Sequence, residues 1–261
     1  MRTGWIMLAV LACSASREPL TNTAATGPAL RIGPREPLGW LGLATAAKEG
    51  DRLPRHAPIS AAHSLVSVAE RDTLPASVDA IATTGGIEHF TTGPHGEVPY
   101  GCDGNALEVT TFTGPRLTAG AVWLLPPTRP PSWQPAALPI LSRTSAAAQR
   151  TYAIGPLTLE LARTADRRGT LTLRRDGKTI HTAPFERHLM EGAGPSPIDL
   201  AEGGPGIPEP IAAWEIAAAG PILLVLTQPG YEGTTLRPLL VEQTSARAIE
   251  AMEMYLYSCA F

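Results

Sequence analysis

Two histidines and several acidic residues lie close together in a stretch rich in glycine and proline. The stretch runs from residue 85 to residue 103 and contains His89 and His95. Imidazoles, carboxylates and thiolates are the groups that bind Zn²⁺ in proteins. His89 and His95 are therefore candidate metal ligands, and the alternative is a surface loop whose histidines only form hydrogen bonds. The nearby groups that could complete a site are Glu88, Glu97, Cys102 and Asp103.

A second candidate chemistry needs only two carboxylates. Glycosidases hold a pair of acidic side chains on either side of the bond that they cleave. Glu209 and Glu232 have the most distinctive settings, because each lies in a short segment of prolines and glycines that would hold its side chain in place. They are the candidate catalytic residues of a hydrolase, and a turn-stabilising or surface role is the alternative.

The signatures of several enzyme classes are missing from the sequence. The chain has no Gly-x-Ser-x-Gly elbow, no Ser-x-x-Lys pair and no zincin, phosphate-loop or dinucleotide-binding pattern. We therefore predict no cofactor, and we favour a binding role over catalysis. Aromatic side chains on loops are natural interface anchors, and packing in the core or in turns is their alternative role. The candidates are Tyr100, Trp133 and Tyr231, together with Phe90 and Trp214.

The chain begins with a short apolar run that ends at a cysteine. Arg2 precedes the run, and a small residue lies just before Cys13. This arrangement is typical of a secretory signal peptide. The segment Val10-Leu11-Ala12-Cys13 resembles the lipobox of bacterial lipoprotein precursors. The resemblance implies cleavage before Cys13 and acylation of its thiol; a conventional signal peptide and a cytosolic chain are the alternatives.

The lipoprotein resemblance also implies a location. Ser14 follows the cysteine, and a residue other than Asp there implies transfer to the outer membrane. The predicted protein is anchored by the lipid on Cys13 and faces the periplasm. Residues 1–12 are the predicted signal peptide and residues 13–38 a flexible tether rich in small and polar residues. Residues 39–261 are the predicted globular region, with a possible sub-boundary near residues 130–150.

Charge and cysteine content limit the partners and the redox state. The formal net charge is −3, and no run of basic residues is suited to neutralise phosphates, so nucleic acid is not a predicted partner. With Cys13 acylated, Cys102 and Cys259 remain. A pair of cysteines in an oxidising compartment predicts a disulfide, and two free thiols are the alternative.

The globular region has the patterns of a β protein. Leu157–Leu161 and Thr170–Arg174 alternate between apolar and polar residues, as half-buried strands do. Asp176-Gly177 predicts a tight hairpin turn after them, because both turn residues need a positive φ. The sequence predicts a mostly β fold, either an antiparallel sandwich-like domain or two small β-modules, with few helices. Further predicted strands are 106–112, 121–125, 212–216, 222–227 and 236–242; residues 191–210 are a predicted loop, and 60–71 and 246–257 fit either a helix or a strand.

Together these features predict an envelope-anchored, non-enzymatic binding protein with a protein partner. One specific form is an immunity or inhibitor protein that blocks a toxin in the periplasm. The alternative is an envelope hydrolase that uses a His/carboxylate site or a pair of carboxylates.

Overall fold

The described part of the chain is made almost entirely of antiparallel β-sheets that pack against one another, which confirms the predicted mostly β, sandwich-like fold. The structure is a computed structural model, and its helical content among the described residues is one 3-10 turn, Glu250–Met252. None of the described residues form a helix with the length and hydropathy that a membrane crossing requires. The described residues are 31–32, 36–37, 39–45, 63–68, 74–99, 106–115, 122–125, 136–187, 197–230 and 233–257.

The strands are numbered here in chain order. They are β1 (Arg31–Ile32), β2 (Glu36–Pro37), β3 (Trp40–Thr45), β4 (His63–Val68), β5 (Ser77–Ala82), β6 (Ile87–Pro99), β7 (Ala106–Thr113), β8 (Val122–Leu125), β9 (Ala136–Ala137), β10 (Ile140–Ala146), β11 (Gln149–Ile154), β12 (Leu157–Ala165), β13 (Arg168–Arg175), β14 (Lys178–Glu186), β15 (Glu209–Glu215), β16 (Ile222–Pro229), β17 (Gly233–Val241), β18 (Ala246–Ala248) and β19 (Met254–Tyr257). β1 and β2 pair with each other.

The first layer is a small closed barrel formed by β3, β4, β7, β6, β5 and β8 in that order. Its strands alternate between two core clusters, as the two-residue period of a strand requires. In β8, Trp123 and Leu125 belong to the cluster that barrel residues form among themselves, whereas Val122 and Leu124 pack with residues of the next sheet. Phe90 and Phe112 meet edge to face in the first of these clusters, with ring centroids 5.9 Å apart.

The second layer is a central sheet with the order β18-β17-β16-β15-β9, and β19 also pairs with β17. Both of its faces are buried, which explains the unbroken apolar run of β16. Leu223 and Val225 pack in the cluster shared with the barrel, and Ile222, Leu224 and Leu226 pack in the cluster shared with the third layer. The central sheet therefore lies between the other two layers.

The third layer is a five-stranded meander, β10 to β14, in sequential order. The hairpin predicted at Asp176-Gly177 is confirmed, because Arg175 pairs with Lys178 and the two turn residues have φ angles of 49° and 79°. The leucines of β12 and β13 face the central sheet, and the residues between them are more exposed.

One segment contributes to both sheets. Ala137 pairs with Trp214 in the central sheet, and three residues later Ile140 pairs with Ile154 in the meander. Pro139 lies between the two pairings. Strands that change sheets at a bend commonly form the corners of packed sheets. The segment 136–146 therefore forms an edge of the central sheet and an edge of the meander.

The structure resolves several segments whose patterns were ambiguous. Residues 63–68 form a strand, and residues 246–257 form β18, the 3-10 turn and β19. The predicted loop at 191–210 ends earlier than expected, because Glu209 and Pro210 already pair with β16. Three domain assignments stay predictions. They are the signal peptide at residues 1–12, the tether at residues 13–38 and the sub-boundary near residues 130–150.

Candidate functional site

His89 and His95 lie on the same strand but have different partners. His89 Nδ1 donates a hydrogen bond to Asp79 Oδ1 on β5 at 3.0 Å, and its side chain is 68% exposed. His95 is half-buried and hydrogen-bonds to Thr110 Oγ1 on β7 at 2.8 Å. Six positions along a strand span roughly 20 Å. The two rings are therefore held in separate surroundings.

A β-bulge separates the two histidines. The register of β6 against β7 shifts between Thr92 and His95. A larger residue is disfavoured at Gly93, because a Cβ atom there would overlap Thr111 Oγ1, which donates to the Pro94 carbonyl. Among the described residues, no three His, Cys, Asp or Glu side chains are arranged to hold a metal ion. Cys102 and Asp103 lie outside the described residues, and the metal site at His89 and His95 stays a prediction.

Glu209 forms a polar cluster with Arg150 and Tyr152, which we call the Arg150 cluster. Arg150 Nη1 donates to Glu209 Oε1 at 2.7 Å and approaches the Leu200 carbonyl oxygen at 3.5 Å. The guanidinium lies over the Tyr152 ring, with Cζ 5.2 Å from the ring centroid. The cluster thus connects β11 of the meander, the segment 197–208 and the first residue of β15.

The segment over this cluster needs glycine. Gly203 has a φ of +76°, and a Cβ atom there would lie 2.7 Å from Glu209 Oε1. Asp199 begins the turn, with its Oδ1 accepting from the backbone N–H of Ala201 at 2.8 Å. This close approach of backbone to carboxylate limits what can enter beside Glu209. Glu232, the other predicted catalytic carboxylate, lies outside the described residues, so the structure does not show the two together.

The hydroxyl of Tyr152 is buried and has no hydrogen-bond partner among the described residues, and the same is true of Arg150 Nε. Burial and, less strongly, the nearby Glu209 carboxylate raise the pKa of Tyr152 to about 12, while Arg150 acts in the opposite direction. The phenol therefore stays protonated at neutral pH. Arg150 holds the Glu209 side chain in place through the 2.7 Å ion pair, an arrangement that suits a structural contact between the two sheets.

Tyr152→Phe is expected to leave stability at neutral pH unchanged or raise it by up to about 1 kcal/mol, because it removes a buried hydroxyl without a partner. In the wild type, the unfolded chain loses the Tyr152 proton at a lower pH than the folded chain does, because folding raises the pKa, so stability falls as pH rises from the ordinary pKa of 10.0 toward about 12. The variant should lose less stability over that range. Urea unfolding at pH 7, 10 and 12 measures this, with exposed Tyr255→Phe as the control. If Tyr152→Phe and Tyr255→Phe lose the same free energy of unfolding between pH 7 and pH 12, the prediction is wrong.

A buried arginine forms a second polar contact that the sequence did not reveal. Arg175 is 5% exposed and donates to the carbonyl oxygens of Gly220 at 3.2 Å and Glu242 at 3.4 Å. It ties the end of the β13–β14 hairpin to two turns of the central sheet. The alternation of residues 170–174 continues to position 175, so the pattern does place this side chain on the buried face.

The aromatic candidates divide into two groups. Phe90 and Trp214 are buried, so neither serves as an exposed interface anchor. Trp214 Nε1 donates to the Ala82 carbonyl at 3.2 Å, which joins the central sheet to the barrel. Tyr100, Trp133 and Tyr231 lie outside the described residues and stay predictions.

The three cysteines also lie outside the described residues, but residues near two of them belong to one large core cluster. Val98 and Leu107, on either side of Cys102 in the sequence, belong to the same core cluster as Met254 and Leu256, which shortly precede Cys259. The anchor at Cys13 and the Cys102–Cys259 disulfide stay predictions.

Comparison of the chain with protein-family models, curated proteins and solved structures finds no match.

Proposed function

We propose that this protein is a lipid-anchored, non-enzymatic binding protein of the bacterial envelope, held at the outer membrane and facing the periplasm. An immunity or inhibitor protein directed at a periplasmic toxin is the specific form that we favour. The apolar run ending at Cys13 supports the anchor, and the three-layer β body supports a rigid binding scaffold.

The observation that carries the binding role is the Arg150–Glu209 ion pair. Glu209 is the candidate catalytic carboxylate whose contacts are described, and it binds an arginine under a closely packed glycine segment. Through this ion pair, Glu209 helps to hold β11 of the meander against β15 of the central sheet. Rigid sheets that present loops and edges to a partner are a common architecture of binding proteins.

Cys13→Ala is expected to abolish acylation and to leave an unprocessed or mislocalised precursor, because the thiol is the acceptor of the lipid. Fatty-acid labelling and fractionation of membranes measure both effects. Ser16→Ala is the matched control, since it makes a small substitution near the same position without removing the thiol, and it should remain labelled. Normal processing and membrane retention of Cys13→Ala would refute the lipid anchor.

The binding role is tested separately by affinity capture from envelope extracts with the acylated protein. A protein partner recovered in a stoichiometric amount is expected. Repeated capture without such a partner, in a preparation that is correctly anchored, would contradict the binding role while leaving the anchor intact.

A further inference from the structure

The meander ends in a strand whose outer side has no partner strand among the described residues. β10 pairs with β11 on one side only, and no backbone hydrogen bond from another part of the described chain reaches residues 140–146. An edge strand presents a row of free N–H and C=O groups that can pair with an added strand. We call this outer side the β10 edge.

The side chains of β10 leave this edge accessible. Six of its seven residues are exposed, and most of them are small, as in Ser142, Thr144, Ser145 and Ala146. Leu141 is 48% exposed, which is unusual for a large apolar side chain in this structure. Small side chains let another backbone approach, and the exposed leucine offers an apolar contact to it.

The other edge of the meander has features that discourage strand addition. β14 contains the charged residue Lys178 and the proline Pro184, and both are exposed. Charged residues and prolines are common means of blocking edge-to-edge pairing. β10 also carries a charge and a bulge, but it has no proline and so keeps every backbone N–H group that an added strand could use, which makes the β10 edge the better suited of the two.

The charge on the β10 edge selects its occupant. Arg143 is the one charged residue of β10, and it is the extra residue at a bulge where the register shifts between Ser142 and Thr144. Two copies of this strand paired near their centres would bring two arginines together, which costs free energy. An acidic side chain on a different strand would instead face a positive charge.

We propose that the β10 edge binds an extended acidic segment of a partner protein by strand addition, with Arg143 as the residue that determines charge specificity. The proposal rests on the binding role proposed above and names the surface that performs it. Main-chain hydrogen bonds supply the attraction in this mode of recognition, and side-chain contacts supply the selectivity. Leu141 would contact an apolar residue two positions from the acidic one.

The test uses two eight-residue peptides of alternating valine and threonine, one with a central glutamate and one with a central lysine. They are titrated into the full ¹⁵N-labelled chain carrying Cys13→Ser, which leaves it unacylated, and amide shifts are followed by NMR. The glutamate peptide should shift the amides of residues 140–146. It should bind up to about fivefold more tightly than the lysine peptide, the range of an exposed ion pair.

Arg143→Glu should reverse the order of the two peptides, and Arg143→Gln should remove the difference between them. Arg247→Glu, the same charge change at an exposed position of β18, should behave as the wild type. Shifts absent from residues 140–146, equal binding of both peptides to the wild type, or self-association of the chain through β10 would each overturn the proposal. None of these outcomes bears on whether Cys13 is acylated.

Discussion

Replacing Trp214 with alanine is expected to lower the free energy of unfolding by about 3–5 kcal/mol, the usual cost of removing a large aromatic side chain from a core. Trp214 is 0% exposed and packs where the central sheet meets the barrel. The Ala82 carbonyl that accepts from the indole also accepts from the Gly85 N–H at 3.0 Å, so it keeps a partner. The cavity therefore accounts for most of the loss.

Trp214→Phe separates the volume of the side chain from its hydrogen bond. Phenylalanine fills most of the space but cannot donate to Ala82, so we expect a smaller loss, near the cost of one hydrogen bond plus a small cavity. Urea unfolding gives the free energies, and hydrogen exchange should show the loss of protection in both β15 and β5. A loss below about 1 kcal/mol for Trp214→Ala would contradict the joining role of this side chain.

The sequence predicts those parts of the fold that depend on local signals. The β12–β14 meander follows from alternation and from the Asp176-Gly177 turn, which act over a few residues. The unbroken apolar run of β16 likewise indicates a buried strand. Closure of the barrel could not be predicted in the same way, because it depends on pairing Trp40 with Leu125, far apart in the chain. No turn or period in the sequence encodes such a pairing.

The polar contacts also divide into features that local sequence signals predict and features that depend on residues far apart in the chain. The proline-rich setting of Glu209 singled it out, but its partner Arg150 lies 59 positions away and is one of many arginines. The spacing of His89 and His95 suggested a common site, whereas an extended strand with a bulge between them gives each its own neighbour. A partner contributed by another sheet is set by the packing of layers, which no local pattern specifies.

The proposed disulfide has the other large expected effect. In the chain-entropy model, a bond that closes so long a loop stabilises the folded state by about 4–5 kcal/mol, less any strain. Residues near the two cysteines take part in the same core, since Met254 and Leu256 of β19 and Val98 and Leu107 of the barrel belong to one cluster. The bond would covalently join the C-terminal strand to the β6–β7 region. Oxidation of the two thiols would pass two electrons to a disulfide oxidase of the compartment.

Cys102→Ser and Cys259→Ser should therefore each lower the free energy of unfolding by about 4–5 kcal/mol, the contribution of the bond. The double variant should lose no more than either single variant, because all three lack the same bond. Urea unfolding of protein extracted from envelope membranes, with and without reductant, measures this. Cys13→Ser is the control, since it keeps Cys102 and Cys259 and should lose as much stability in reductant as the wild type does. If unreduced, denatured protein carrying Cys13→Ser shows two reactive thiols, the cysteines are not bonded. The presence of their neighbouring residues in one core cluster would then reflect apolar packing alone.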